Sequence, residues 1–289
     1  MEMGRKGVFW FTDTLTPAQL IELAQRSEQL GYSALWYPEV FSYECFALGS
    51  FLLNHTNTLI IASGIANIYA RDATATKQGQ YTLARISSGR FLLGLGVSHV
   101  PLVEDARGHQ YRRPVATMRT YLDAMDKAAT ISPPLDEPPL TILAALGPQM
   151  TSLAGARTAG AFPYNVTPEH TERARAIIGP QKWLCVEQKV LLVTDPGKAR
   201  ELARQAMAFY LPLTNYRANW TRLGFSEDDL AGGGSDRFLD AMVAWGTETV
   251  ICQRIQAHFD AGASHVCIQP LHPDGQPIPD LNALAALAA

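Results

Sequence analysis

Gly89-Arg90-Phe91-Leu92-Leu93-Gly94-Leu95-Gly96-Val97-Ser98-His99 is the stretch on which the fold turns. From Phe91 to Val97 it carries only apolar residues and two glycines, so it reads as a strand buried on both faces. It ends in small, polar and ionisable chemistry, Ser98 and His99. In parallel α/β proteins ligands bind at that C-terminal tip. A glycine inside a strand lets another group come close to the backbone. Three uses of the tip compete: a phosphate loop, a metal corner, or the wall of a ring-shaped cofactor.

On both sides of this run, short apolar segments alternate with helical patterns. Residues 8–11, 34–37, 58–68, 91–97, 140–146, 161–166, 185–193 and 265–269 predict eight strands. Thr16-Pro17, Pro148-Gln149-Met150, Thr167-Pro168 and Asp195-Pro196 open helices between them, because proline tolerates the first helical position and a threonine or aspartate before it accepts free N–H groups. Further helices are expected near 46–53 and over 73–86, 115–129 and 248–262. Residues 99–113 read as an insertion after the fourth strand. Residues 211–246 read as an irregular helical region before the last strand–helix unit, with Gly232-Gly233-Gly234 as a mobile loop. Eight strand–helix units within 289 residues predict one α/β domain, 1–289, built as a closed (β/α)8 barrel. An open doubly wound sheet is the competing architecture. Its dinucleotide turn follows the first strand, whereas Gly94-x-Gly96 follows the fourth.

Composition narrows the functions. A hydrophobic fraction of 47% and a charged fraction of 18% are those of a globular chain that buries a sizeable core. A net charge of −3, with no lysine or arginine block, argues against nucleic acid as the main partner. No apolar run reaches the roughly 18 residues that span a bilayer, and residues 1–7 do not read as a signal peptide. The four cysteines, Cys45, Cys185, Cys252 and Cys267, lack CxxC spacing and read as reduced thiols of a cytoplasmic protein.

In a barrel the chemistry sits at the C-terminal strand ends. Those ends carry Thr12 and Asp13, Glu39, Asn67 with Tyr69 and Arg71, Ser98 and His99, the Gly147 turn, Asn165, and Gln269. His99 and His109 stand ten apart without a carboxylate at helical spacing, so no metal site is expected. Gly94-x-Gly96-x-x-His99 lacks the third glycine of a dinucleotide fingerprint and does not open a helix directly. The Leu146-Gly147-Pro148-Gln149 turn does open one, and its free N–H groups suit an anion or a polar chain. Ser98 lacks the G-x-S-x-G elbow of a hydrolase nucleophile. One acid (Glu39), one histidine (His99) and no metal suit proton handling beside a cofactor that performs the difficult step.

These strand ends resemble the luciferase-like superfamily of flavin and deazaflavin enzymes. The resemblance rests on Ala34-Leu35-Trp36-Tyr37-Pro38-Glu39, on the third strand through Gly64-Ile65-Ala66-Asn67, and on the fourth through Gly96-Val97-Ser98-His99. Residues 144–150 and 161–170 resemble more narrowly the actinobacterial branch that uses the deazaflavin coenzyme F420; sister branches use FMN. The resemblance implies a tricyclic ring lying across the strand tips, with a non-prolyl cis peptide at Gly64-Ile65 as its backstop. It implies ring contacts from Glu39, Asn67, Gly96, Val97 and Ser98, and places Leu146, Gly147, Pro148, Gln149 and Met150 at the ribityl chain or phosphate. Relatives that oxidise alcohols carry an Asp-His pair where this chain has Glu39-Val40, and a glutamate where it has His99. The departures move proton donation to a protonated His99 and leave Glu39 to a polar edge of the ring. The expected activity is hydride transfer between the deazaflavin and a small organic substrate. An FMN-dependent monooxygenase and a non-catalytic cofactor binder are the alternatives, and a homodimer is expected from the resemblance.

Overall fold

The computed structural model describes residues 1–129 and 131–288. Its strands are β1 (Lys6–Phe9), β2 (Ala34–Tyr37), β3 (Ile60–Ser63), β4 (Ala66–Asn67), β5 (Phe91–Gly96), β6 (Thr141–Ala144), β7 (Gly160–Phe162), β8 (Trp183–Leu191), β9 (Val243–Trp245) and β10 (His265–Pro270). Eight of them close a parallel barrel in the order β1-β2-β3-β5-β6-β7-β8-β10, with β10 pairing back onto β1. β4 and β9 are short additions paired with β5 and β8. The open-sheet alternative is thereby excluded.

The barrel interior is aromatic. Trp36 stacks on Phe162 with ring centroids 4.6 Å apart, and Phe9 stacks on Phe162 at 6.1 Å. Alternation along each strand puts these residues inside. Their neighbours Val8, Leu35, Ile61, Leu93 and Val266 point outward, into the larger core under the helices. The predicted helix starts are in place. Thr16 forms a capping box with Gln19 ahead of Pro17, and helices begin at Pro148, Pro168 and Pro196.

Two readings of the sequence need correction. The third predicted strand, 58–68, is broken into β3 and β4 around Gly64 and Ile65, whose peptide bond is cis. The helical region 211–246 resolves into helices Thr214–Arg222, Glu227–Leu230 and Asp236–Met242, then β9, and its glycine stretch is a turn instead of a mobile loop. These helices build a second core around Trp220 and Phe238, which are fully buried. Gly232, Gly233 and Gly234 all have positive φ and form a turn, closed by Gly234 N–H to Ala231 and Ser235 N–H to Asp229. Helices of nine, four and seven residues are too short to show a 3.6-residue period. Their signal is in the caps, Ser226 and Ser235, each bonded to the N–H three residues on.

Candidate active site

A cavity of about 550 Å³ opens at the C-terminal ends of the strands. Glu39, Gly64, Ile65, Val97, Ser98, His99 and residues 146–150 line it, so most of the predicted site residues share one space. Asn67 and Gly96 are absent from its lining.

The β2 tip explains Asn67. The Glu39 carboxylate is nearly buried and forms a two-pronged ion pair with Arg71, whose second partner is Glu44 at 2.7 Å. Oε2 of Glu39 also accepts the Asn67 backbone N–H at 2.9 Å. The Asn67 side chain turns back and accepts the Tyr69 N–H at 2.9 Å, so it shapes the turn behind the cavity wall instead of facing a ligand. Oε1 of Glu39 has a single protein donor and keeps a lone pair. Burial depresses the Arg71 pKa, but the hydrogen bond and charge of Glu39 outweigh it and hold the guanidinium above its ordinary value.

The glycines of the opening sequence serve the protein itself. A Cβ on Gly94 would stand 2.1 Å from the Ser63 carbonyl oxygen, and one on Gly96 would stand 2.4 Å from Ile65 Cγ1. Ser63 Oγ donates to the Gly94 carbonyl and accepts the Gly94 N–H, both at 2.9 Å. The close approach predicted for Gly96 is thus that of Ile65. β5 is bare so that the cis segment can lean on it and present Ile65 to the cavity.

Beyond β5 the chain turns sharply. Ser98 has φ of +58°, a left-handed conformation that costs a non-glycine residue on the order of 1 kcal/mol. This kink sends His99 into the cavity wall, beside Asn215 and 5.5 Å from the Tyr216 ring. Its Nδ1 is buried and bonded to nothing in the protein. Burial lowers the His99 pKa, and the interaction with Asn215 only partly opposes this. His99 is therefore neutral near pH 7. The expected protonated donor is replaced by an imidazole that can give or take one hydrogen bond at Nδ1.

At the tip of β6, the strand next to β5, Gly147 caps the helix Pro148–Arg157 with no side-chain hydrogen bond among the described residues, leaving its first N–H groups open. Arg222 lies within 3.7 Å of the point a Gly147 Cβ would occupy. His170, buried, donates from Nε2 to the Leu146 carbonyl at 2.9 Å and steadies this turn. An uncapped helix start beside a guanidinium is a place for an anion.

Sequence reasoning missed the floor. Glu187 and Lys189 are fully buried on β8 and paired at 3.3 Å, with Lys189 also donating to Asn165 Oδ1. Lys189 Nζ sits 4.0 Å from the centre of the Tyr164 ring and 5.3 Å from that of Tyr210. Burial pushes the lysine down and the glutamate up, and each partner's charge opposes the shift of the other. Tyr164 donates to Gln269 at 2.8 Å and accepts from Tyr210 at 3.0 Å. A Glu and a Lys two apart, either side of Gln188 in a strand apolar at its remaining positions, was the available signal, since they must face one side together.

Fold and site define a class: a (β/α)8 barrel with a largely apolar cavity at its strand tips, beside an uncapped helix start and a guanidinium. The model of the luciferase-like monooxygenase family matches residues 5–265, and the chain belongs to that family. A Mycobacterium tuberculosis protein named as a coenzyme F420-dependent oxidoreductase is 27% identical over 123 residues, 43% of this chain and 35% of the relative. The match thus spans about a third of that relative's length. An F420-dependent secondary alcohol dehydrogenase, solved with an F420–acetone adduct, superposes with a TM-score of 0.78 at 15% identity, covering 99% of this chain and 98% of the other. The oxygenating component of 3,6-diketocamphane monooxygenase from Pseudomonas putida, solved with FMN, gives 0.73 at 15% identity, covering 99% and 97%. These likenesses show the shared barrel.

Proposed function

We propose that the chain binds a deazaflavin of the F420 class across the strand tips and catalyses hydride transfer between it and a small organic substrate. The observation that carries this reading is that one cavity holds two kinds of lining. Ile65 and Val97 offer an apolar shelf, and the open N–H groups after Gly147, with Arg222, offer a place for an anion. A flat ring with a phosphorylated tail needs both. The name of the mycobacterial relative favours F420 over FMN. Such a coenzyme supplies or accepts the hydride when bound.

The protein's own residues would position the reactants. Glu39 and Arg71 hold the β2–β4 corner, and through the Glu39 N–H to the Ile65 carbonyl they fix the shelf. His99 holds the substrate through Nδ1. The four cysteines are free thiols, which supports a reducing, cytoplasmic setting.

The test is a pair of assays. With reduced F420 and a panel of carbonyl and enone substrates, return of the oxidised coenzyme's absorbance is expected. Oxygen uptake with reduced FMN, and none of that return, would make the chain an FMN monooxygenase.

A further inference from the structure

We propose that the substrate of this cavity is an uncharged molecule, aromatic or otherwise flat and apolar, with one hydrogen-bonding oxygen directed at His99. This rests on the coenzyme reading for which part of the cavity stays open to substrate. The wall itself is read directly from the side chains.

One wall of the cavity, drawn from the β5 and β7 tips, Tyr210 and the helix Thr214–Arg222, is a continuous run of rings. His99 lies 5.5 Å from Tyr216, Tyr216 lies 5.2 Å from Tyr210, and Tyr210 lies 5.4 Å from Tyr164. All four line the cavity. Aromatic faces at such spacings suit a flat apolar partner, which they hold by dispersion and stacking.

The charges near this wall are already spent. Glu39 is neutralised by Arg71. Lys189 lies sealed behind the Tyr164 ring and is paired with Glu187. Arg222, the cation in the lining, sits beside Gly147, in the part the coenzyme reading assigns to an anion. An anionic substrate would lose its water here and find no counter-charge, a large cost for an ion. Among the described residues that line the cavity, one buried side-chain nitrogen or oxygen has no hydrogen-bond partner, Nδ1 of His99. A turn of the imidazole about its Cβ–Cγ bond would bring that nitrogen to a ligand, and such a group fixes a ligand's orientation. A single carbonyl or hydroxyl oxygen satisfies it.

The experiment compares two near-isosteric probes, 2-acetonaphthone and 2-naphthoate, by calorimetric titration of the folded protein with and without F420. The ketone is expected to bind at least tenfold more tightly than the carboxylate. In Asn215→Lys, which puts a cation beside His99, that ratio is expected to fall at least threefold. Asn215 is half-exposed, and retained melting temperature checks that the variant is folded. Equal or tighter binding of 2-naphthoate to the wild-type chain overturns the inference. So does a ratio unchanged in Asn215→Lys, because the probe would then sit elsewhere. F420 binding with neither probe bound overturns the substrate class and leaves the coenzyme reading standing. The expected probe ratio without F420 binding supports the wall and overturns the coenzyme reading.

Discussion

His258 and His265 show what burial does to a single side chain in this molecule. His265 accepts the Trp36 indole N–H at Nε2, 3.1 Å, and must donate from Nδ1 to the Gly4 carbonyl at 2.7 Å. His258 bonds to Gln188 Oε1 at 3.0 Å and to Thr171 Oγ1 at 2.8 Å. Both networks hold a neutral ring, and desolvation brings the pKa to about 4 for His265 and about 3 for His258. The unfolded chain titrates these groups near 6.5. Their contribution is present above that pH and is lost as pH falls toward the folded values, because the unfolded state takes up protons first. Unfolding free energy is therefore expected to drop between pH 6.5 and 4.5, by up to about 1.4 kcal/mol per pH unit per histidine, read as a falling melting temperature. A flat profile over that range would contradict it. His99, also depressed by burial, should follow a different rule in function. His99→Ala is expected to lower turnover by about 10²-fold while leaving coenzyme affinity within twofold, as steady-state kinetics and titration would report. Glu39→Ala leaves Arg71 with only the half-exposed Glu44, and a loss of about 3 kcal/mol in denaturant melts is expected.

At the scale of elements, the shelf is made by β3, β4 and β5 acting together. The glycines at 94 and 96 were legible as sites of close approach, but a sequence does not say what approaches. The occupants are the Ser63 carbonyl and Ile65, which come from a neighbouring strand some thirty residues earlier in the chain. Gly94→Ala drives a Cβ into backbone, and a loss of about 3 kcal/mol or more is expected. Gly96→Ala meets only a side chain, so its main effect should be displacement of Ile65 and weaker coenzyme binding, with a smaller loss of stability. Equal stability of the two variants would contradict this division of roles. The bounds of the helices of 214–242 escaped the sequence reading because each is too short for a periodic face, while strands with Thr-Pro or Asp-Pro helix starts were visible at once. Yet the first of these helices supplies Asn215, Tyr216 and Arg222 to the cavity lining.

Across the whole molecule, barrel closure converts eight scattered strand tips into one mouth. That is why Glu39, Ile65, Ser98 and Gly147, read separately along the chain, could be predicted to converge. The Glu187–Lys189 pair left a signal in the spacing of β8, but that Lys189 also bonds Asn165 and lies behind the Tyr164 ring is set by barrel closure and needed the three-dimensional pairing. The same closure brings the apolar Ile65 and Val97 and the uncapped helix start after Gly147 into one cavity, the arrangement on which the proposal of a ring-and-phosphate coenzyme rests. Fluorescence titration of the purified chain with F420 and with FMN tests this most directly. Saturable, one-to-one quenching of F420 is expected, with FMN at least tenfold weaker and Arg222→Ala weakening F420 about tenfold. Tight FMN binding without F420 binding, or F420 binding indifferent to Arg222, would contradict it.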